Sequence, residues 1–212
     1  MRSSRGAIMG RRSERRNDDQ LRTVLAQEAA RIIRNQGIED YRTAKRKAAE
    51  NLGLRNSGAL PNNREIEAAL TDYNRLFGGE QQLNLLGRLR EVAIEVMYDL
   101  ELFRPCLVGP VLSGNVTENS VISLHLFSDA SELVGMQLYD RGVKHSSLLR
   151  RHRLQRDRIE EFPGFRFIVQ DCEVETTVFP ERVKAHSPLS PVDGKPMRRA
   201  KLRDVEQLAL AV

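Results

Sequence analysis

One segment near the middle of the chain carries most of the information about its architecture. Residues 109–124 read Gly-Pro-Val-Leu-Ser-Gly-Asn-Val-Thr-Glu-Asn-Ser-Val-Ile-Ser-Leu. Polar residues and two glycines separate short apolar or alternating runs at 106–108 and 121–127. This pattern predicts a strand, a glycine-containing turn and a second strand.

The sequence after this segment mixes helix and strand signals. Asp129 and Glu132 have the spacing of a pair that caps the start of a helix. An alternating apolar pattern over 165–178, interrupted by a turn, indicates a β-hairpin. The three prolines of residues 187–199 predict an extended strap, followed by a final short helix. Residues 101–212 are therefore predicted to form an α+β domain.

The sequence before the segment is helical. Apolar residues recur at spacings of three and four in four stretches of residues 21–100, and glycines follow the first three. Asn62 and Glu65 have the spacing of a reciprocal cap for the third helix. The pattern predicts a helical layer that packs against the sheet. Residues 1–20 contain six arginines and no apolar periodicity, which predicts a disordered basic arm.

Composition excludes several classes of protein. The chain has 212 residues, of which 40% are hydrophobic and 30% charged, and a net charge of +5. These values are typical of a globular protein with a mild capacity for polyanions. No apolar run is long enough to cross a bilayer, so we expect a cytoplasmic protein without a membrane partner. Cys106 and Cys172 lack metal-ligand spacing and are expected to be small core residues.

The central segment resembles the signature of the nucleotidyltransferase superfamily, the polymerase-beta-like fold, which runs Gly-Ser-x-x-x-Gly-Thr-x-x-x-x-Ser-Asp-x-Asp-Leu. The resemblance implies a small mixed β-sheet, a nucleoside triphosphate as ligand, and Mg²⁺ held by two carboxylates on one strand face. It implies nucleotide contacts at six positions of this sequence, which are Gly109, Ser113, Gly114, Asn115, Ser120 and Ser123. Residues 40–49, 109–112 and 187–200 are also similar to a bacterial group of nucleotidyltransferase-like proteins of unassigned substrate.

The acidic positions of that signature are filled by other residues. Val121 and Ser123 stand where the two aspartates are expected, and Pro110 stands where a phosphate-binding serine is expected. The superfamily takes a third acidic ligand from a later strand, and Glu175 is the best match for it. The resemblance therefore implies a catalytic role for Glu175 alone, and no metal ligands are assigned.

Three functions follow as alternatives. The first is a degenerate nucleotidyltransferase fold that is retained for binding a nucleotide, a nucleic acid or a protein. The second is an active, Mg²⁺-dependent enzyme that transfers a nucleoside monophosphate and uses Glu175 with acids such as Asp129 or Asp171. The third is a nucleic-acid-binding accessory protein, because residues 141–158 and 182–203 are rich in arginine and lysine. The histidines of these segments, His145, His152 and His186, are expected at the surface or against phosphate.

Overall fold

The structure is a computed structural model that describes residues 4–38, 40–54, 60–155 and 157–210, with side chains from residue 17 onward. The chain divides into two compact units, Met1–Phe77 and Gly78–Val212. The boundary differs from the predicted one at residue 100. The last helix of the predicted helical region belongs to the second unit, because its apolar stripe is buried in the same core as the sheet.

The first unit contains three helices, α1 (Ser4–Gln36), α2 (Tyr41–Asn51) and α3 (Asn63–Phe77). Their buried stripes form one apolar cluster. The predicted reciprocal cap of α3 is confirmed, since the Glu65 N–H donates to Asn62 Oδ1 at 2.9 Å and the Asn62 N–H donates to Glu65 Oε2 at 2.7 Å. The apolar stripes therefore pack the three helices together, and the cap fixes where α3 begins.

Helix α1 is longer than the sequence pattern indicates. It begins at Ser4 and not near Leu21, so residues 4–20 of the predicted disordered arm are helical, while residues 1–3 lie outside the described residues. The physical reason is propensity, because Arg, Glu, Met and Ala are good helix formers.

The second unit begins with α4 (Gly79–Asp99) and a 3₁₀ turn, Glu101–Phe103, and then alternates strands and helices. In chain order these are β1 (Cys106–Val108), α5 (Gly109–Ser113), β2 (Ile122–Phe127), α6 (Glu132–Asp140), β3 (His145–Gln155), β4 (Arg158–Val169), β5 (Cys172–Phe179), a 3₁₀ turn at Glu181–Val183, β6 (Ala200–Lys201) and α7 (Leu202–Leu210). The α+β class is confirmed.

The six strands form one mixed sheet in the order β3-β4-β5-β2-β1-β6. Only β2 and β5 run parallel, with Ser123 beside Glu175 and His125 beside Thr177. The predicted hairpin is confirmed as β4 and β5, which pair antiparallel across a two-residue turn. Gln170 and Asp171 of this turn both have positive φ, as a two-residue hairpin turn requires.

Strand β3 is absent from the sequence prediction. It pairs with β4 over eleven residues and lies at one edge of the sheet. On its outer side, the Arg153 carbonyl accepts a hydrogen bond of 2.6 Å from the Leu189 N–H of the proline-rich segment. The segment 187–199 therefore contacts the sheet edge, but it is not the extended strap that was predicted, because it turns back on itself and pairs Leu189 with Pro196.

The two faces of the sheet have different surroundings. Helices α4, α5, α6 and α7 cover one face and bury a large apolar core with it. The other face, which we call the site face, carries Ser123, His125 and Phe127 of β2 and Glu175, Thr177 and Phe179 of β5. A small apolar cluster of Cys106, Phe127, Phe162 and Phe179 lies on it.

Strands β4 and β5 approach each other very closely at Gly164. A Cβ atom at this position would lie 1.9 Å from the Thr176 carbonyl oxygen. Beside it, Thr176 Oγ1 accepts a hydrogen bond from the Phe165 N–H at 3.0 Å. Only glycine fits here, because every other residue adds the Cβ.

Among the described residues, no helix combines the length and the apolar character that are needed to span a membrane.

Candidate functional site

The segment 109–124 does not form one extended glycine loop. Gly109 to Ser113 make a short helix, and Gly114 ends it in the left-handed region at φ 87°. Gly109 has φ 73°, and a Cβ built on it would lie 3.7 Å from Ser123 Oγ. Gly109 and Ser123 are thus neighbours at the end of β1 and the start of β2.

The other predicted nucleotide contacts are not gathered at this point. Ser120 is buried, and its Oγ accepts a hydrogen bond of 2.8 Å from the Thr117 N–H, so it closes a turn. Asn115 is buried as well. Ser113 is exposed and donates to the Pro110 carbonyl at 3.3 Å. Of the hydroxyls predicted to contact the nucleotide, only that of Ser123 is on the site face.

Glu175 lies beside Ser123, but two arginines engage its carboxylate. Its side chain is only 7% exposed. Arg166 of β4 donates from Nε to Glu175 Oε1 at 2.9 Å, and Arg150 of β3 forms an ion pair with Oε2. Both arginines come from the strands that lie beyond β5 on the sheet. The carboxylate is therefore buried and neutralised by two guanidinium groups.

The acids predicted to act with Glu175 do not join it, although Glu173, two residues earlier in β5, also pairs with Arg166. The Asp129 carboxylate accepts a hydrogen bond from the Glu181 N–H at 3.1 Å, so it does not cap α6 as predicted; the N-cap of α6 is Ser131, which has no side-chain cap bond. Asp171 precedes β5, whereas Asp129 follows β2. Because β2 and β5 are parallel, these two acids lie at opposite ends of the strands.

The donor set does not fit magnesium. Within the described ranges, no group of three or more His, Cys, Asp or Glu side chains is placed to hold a metal ion. Mg²⁺ prefers several anionic or neutral oxygen ligands in octahedral geometry, and the oxygens of Glu175 already face two cations. The structure supports no catalytic step through Mg²⁺ at this position.

Two histidines lie further along the site face. The rings of His125 and His152 meet edge to face with their centroids 5.4 Å apart, and His152 Nε2 lies 3.3 Å from Thr177 Oγ1. Burial, and then the charge of Arg199, hold the pKa of His125 well below its usual value. Burial, followed by the charges of Arg150 and Arg199, lowers the pKa of His152 to about 4. Both imidazoles are therefore neutral at pH 7.

Arg199 reaches this pair of histidines from the end of the proline-rich segment. Its Nε donates to His125 Nδ1 at 3.1 Å, and its Nη1 donates to the Lys184 carbonyl at 3.0 Å. Since Nδ1 of His125 accepts, its ring proton is on Nε2. The guanidinium carbon lies 5.0 Å from the centroid of the Phe127 ring and 5.3 Å from that of Phe179, which are cation–π distances.

None of the described acidic residues forms an ion pair with the Arg199 guanidinium. Its Nη2 is buried and makes no hydrogen bond to any described residue. Its neighbourhood adds positive charge, because Lys184 Nζ lies 6.0 Å from the centroid of the Phe127 ring, and Lys201 is paired in register with Cys106. On the site face, Glu173 and Glu175 therefore offset Arg150 and Arg166, whereas no ion pair to a described acid offsets Arg199.

Both cysteines are confirmed as free, buried core residues. Cys106 faces the same cations, but its burial has the larger effect and raises the pKa of its thiol. A thiol with a raised pKa is a poor nucleophile at neutral pH, so we assign it no chemical role.

Much of the predicted basic surface of residues 141–158 is paired. Ion pairs join Arg141 to Asp99, Arg150 to Glu175, Arg151 to Glu161 and Arg158 to Glu160. Each pair offsets part of the positive charge of this segment, so its net attraction for a nucleic-acid backbone is reduced. This segment is mainly strand β3 and not a solvated loop, and it contributes Arg150 and His152 to the site face.

Comparison with protein-family models, with curated proteins and with solved structures gives no match.

Proposed function

We propose that this protein is a degenerate nucleotidyltransferase-like protein that binds a phosphorylated ligand, such as a nucleotide, on its site face without metal-dependent transfer. One observation carries the proposal. The carboxylate that stands where the superfamily places an acidic metal ligand, Glu175, is bound by Arg150 and Arg166.

The two arginines bind the carboxylate that a metal-dependent site would use as a ligand. A divalent cation next to Glu175 would also lie next to two guanidinium groups, and like charges at such distances repel strongly in a partly buried site. Glu173 also pairs with Arg166, so Glu173 and Glu175 together offset the two guanidinium charges. The guanidinium donors that remain exposed favour an oxyanion over a metal ion.

The same arginines offer donors for phosphate. The Arg150 side chain is 45% exposed and that of Arg166 is 53% exposed. A guanidinium has five N–H donors, and only Nη2 of Arg150 and Nε and Nη2 of Arg166 face the acidic groups. The remaining donors match the oxygens of a phosphoryl group, and the half-exposed Ser123 hydroxyl lies next to Glu175.

Calorimetric titration with ATP tests the proposal. We expect saturable binding in EDTA that Mg²⁺ does not strengthen, because Mg²⁺ neutralises the phosphate charge that the arginines attract. Arg150→Gln should weaken binding at least about tenfold, which is the effect of losing one charge-assisted hydrogen bond. Arg151→Gln is the matched control, since Arg151 is the next residue of β3 and lies on the opposite face.

An assay of nucleotidyl transfer tests the competing enzymatic function. The protein would be incubated with α-labelled nucleoside triphosphates, Mg²⁺ or Mn²⁺, and a cell extract that contains possible acceptors. We expect no incorporated label above that of heat-treated protein. Label transfer that requires the metal and disappears in Glu175→Gln would refute the proposal and support the enzyme.

A further inference from the structure

We propose a second anion subsite on the site face, in which Arg199, with His152 beside it, binds a phosphoryl group. The inference rests on the proposed function and deepens it, because it makes the ligand one that carries more than one anionic group. Arg199 joins the site from the chain segment before β6, far in sequence from the arginines of β3 and β4.

Arg199 carries a positive charge that no described acidic residue offsets. Arg150 and Arg166 share the Glu175 carboxylate, whereas the described acidic residues leave Arg199 without an ion pair. The guanidinium is held by an imidazole nitrogen, a carbonyl and two aromatic rings. A partly buried cation without a counter-charge is costly, and an anion is the ligand that removes this cost.

Arg199 also has a hydrogen-bond donor that no described residue accepts from. Arg199 Nη2 is buried and makes no hydrogen bond within the described part of the chain. Native structures leave very few buried donors unsatisfied, and an exception points to a bound water or ion. Because the donor belongs to a cation, an oxyanion satisfies both its hydrogen bond and its charge.

The subsite at Arg199 lies close to the arginines that bind Glu175. His152 is close enough to Arg150 and to Arg199 for both charges to act on its imidazole. Along the sheet, the pair His125 and Thr177 is two residues from the pair Ser123 and Glu175, which corresponds to roughly 7 Å. The two cationic centres therefore lie on one surface, at a separation that one ligand with two anionic groups can span.

An anion at this position must act on the protonation of His152. The groups that face this imidazole are Arg150 on its own strand, His125 of β2, Thr177 of β5, Arg199, and Glu160 across the β3–β4 pair, which is itself engaged by Arg158. An anion offsets the repulsion from the two arginines and raises the pKa of the ring. Binding then takes up a proton, so affinity rises as the pH falls below neutral.

Calorimetry with sulfate tests the subsite, because sulfate is an oxyanion that does not itself titrate between pH 5 and 8. We expect saturable binding that is at least about threefold tighter at pH 5 than at pH 7.5. Arg199→Gln should weaken binding at pH 7.5 by about tenfold or more. Arg199→Lys, which keeps the positive charge, should retain most of the affinity, and Arg198→Gln is the matched control because Arg198 is the exposed neighbour.

Nuclear magnetic resonance of the histidine rings provides the second measurement. Titration of the His152 ring in chloride and in sulfate should give a higher pKa in sulfate, and Arg199→Gln should abolish this difference. Thermal unfolding of each variant shows whether it is folded. Equal sulfate affinity in Arg199→Gln and the unchanged protein, or no difference between the two salts, would overturn the inference.

The two proposals fail separately. If Arg150→Gln weakens ATP binding while Arg199→Gln changes neither sulfate nor ATP affinity, the second subsite is refuted and the proposed function is retained. If the unchanged protein binds neither ATP nor sulfate, both are refuted.

Discussion

Replacing Gly164 by alanine should destabilise the second unit strongly. The added Cβ would lie 1.9 Å from the Thr176 carbonyl oxygen, whereas real Cβ contacts are not shorter than 3.0 Å. Strands β4 and β5 must therefore separate locally by at least 3.0 − 1.9 = 1.1 Å. The neighbouring obstacle is backbone, so rotation of a side chain cannot relieve the contact.

The magnitude follows from what the separation breaks. Thr176 Oγ1 accepts from the Phe165 N–H at 3.0 Å and lies 3.3 Å from the Phe165 carbonyl, and these contacts contribute about 1 kcal/mol each. Overpacking in a well-packed region costs a further 1–3 kcal/mol or so. We expect Gly164→Ala to lower the free energy of unfolding by about 3–5 kcal/mol.

Gly87→Ala is the matched control in the same unit. Gly87 lies within α4, and a Cβ built on it has no other atom within 4 Å. Alanine is favoured over glycine inside a helix by about 0.5–1 kcal/mol, so this variant should be more stable. Replacing glycine by alanine should therefore lower the free energy of unfolding at residue 164 and raise it at residue 87.

Urea denaturation followed by far-UV circular dichroism suits this comparison, because the chain contains no tryptophan. The transition that Gly87→Ala shifts identifies the second unit, and Gly164→Ala should move that transition to lower urea concentration. A Gly164→Ala variant within about 1 kcal/mol of the unchanged protein would show that the strands do not approach as described.

Two further predictions concern a helix cap and the imidazoles. Asn62→Ala removes the reciprocal cap of α3 and should lower the free energy of unfolding of the first unit by about 1 kcal/mol, measured by urea denaturation. Asn62→Asp, which keeps a capping oxygen, should lower it much less. Equal losses in the two variants would contradict the cap. The pKa of His152 is about 4 in the folded chain and about 6.5 in an unfolded one. Between these two values the unfolded state binds more protons than the folded state. The contribution of the neutral His152 ring to the free energy of unfolding is therefore full above pH 6.5 and falls by about 1.4 kcal/mol per pH unit below it. His152→Gln should reduce that dependence between pH 7 and 5, and an unchanged slope would show that the imidazole is not buried as described.

The parts of the fold that were predictable are those with local signals. Asn62 and Glu65 are three residues apart, and their side chains meet each other's backbone without help from elsewhere. The β4–β5 hairpin was predictable for the same reason, since its apolar alternation is clear and its turn is short. Strand β3 was not predictable, because arginines occupy both of its faces at Arg150, Arg151 and Arg153 and remove the period-two contrast.

The location of the candidate site was predictable from the sequence, but the charged groups that surround Glu175 were not. The resemblance assigned both Ser123 and Glu175 to the site, and the register places them side by side. The partners of Glu175 come from β3 and β4, and Arg199 meets His125 from 74 positions away in the chain. No spacing rule connects such residues, because the contacts depend on the order of the strands in the sheet.

The position of β3 at the edge of the sheet has a consequence for the behaviour of the protein in concentrated solution. An uncovered edge strand is a template on which other chains can aggregate. Here the hydrogen bond from the Leu189 N–H to the Arg153 carbonyl occupies one outer backbone group, and three arginines line the strand. Long charged side chains on an edge strand hinder the approach of a second strand, so the composition of β3 disfavours sheet-to-sheet association between copies of the chain.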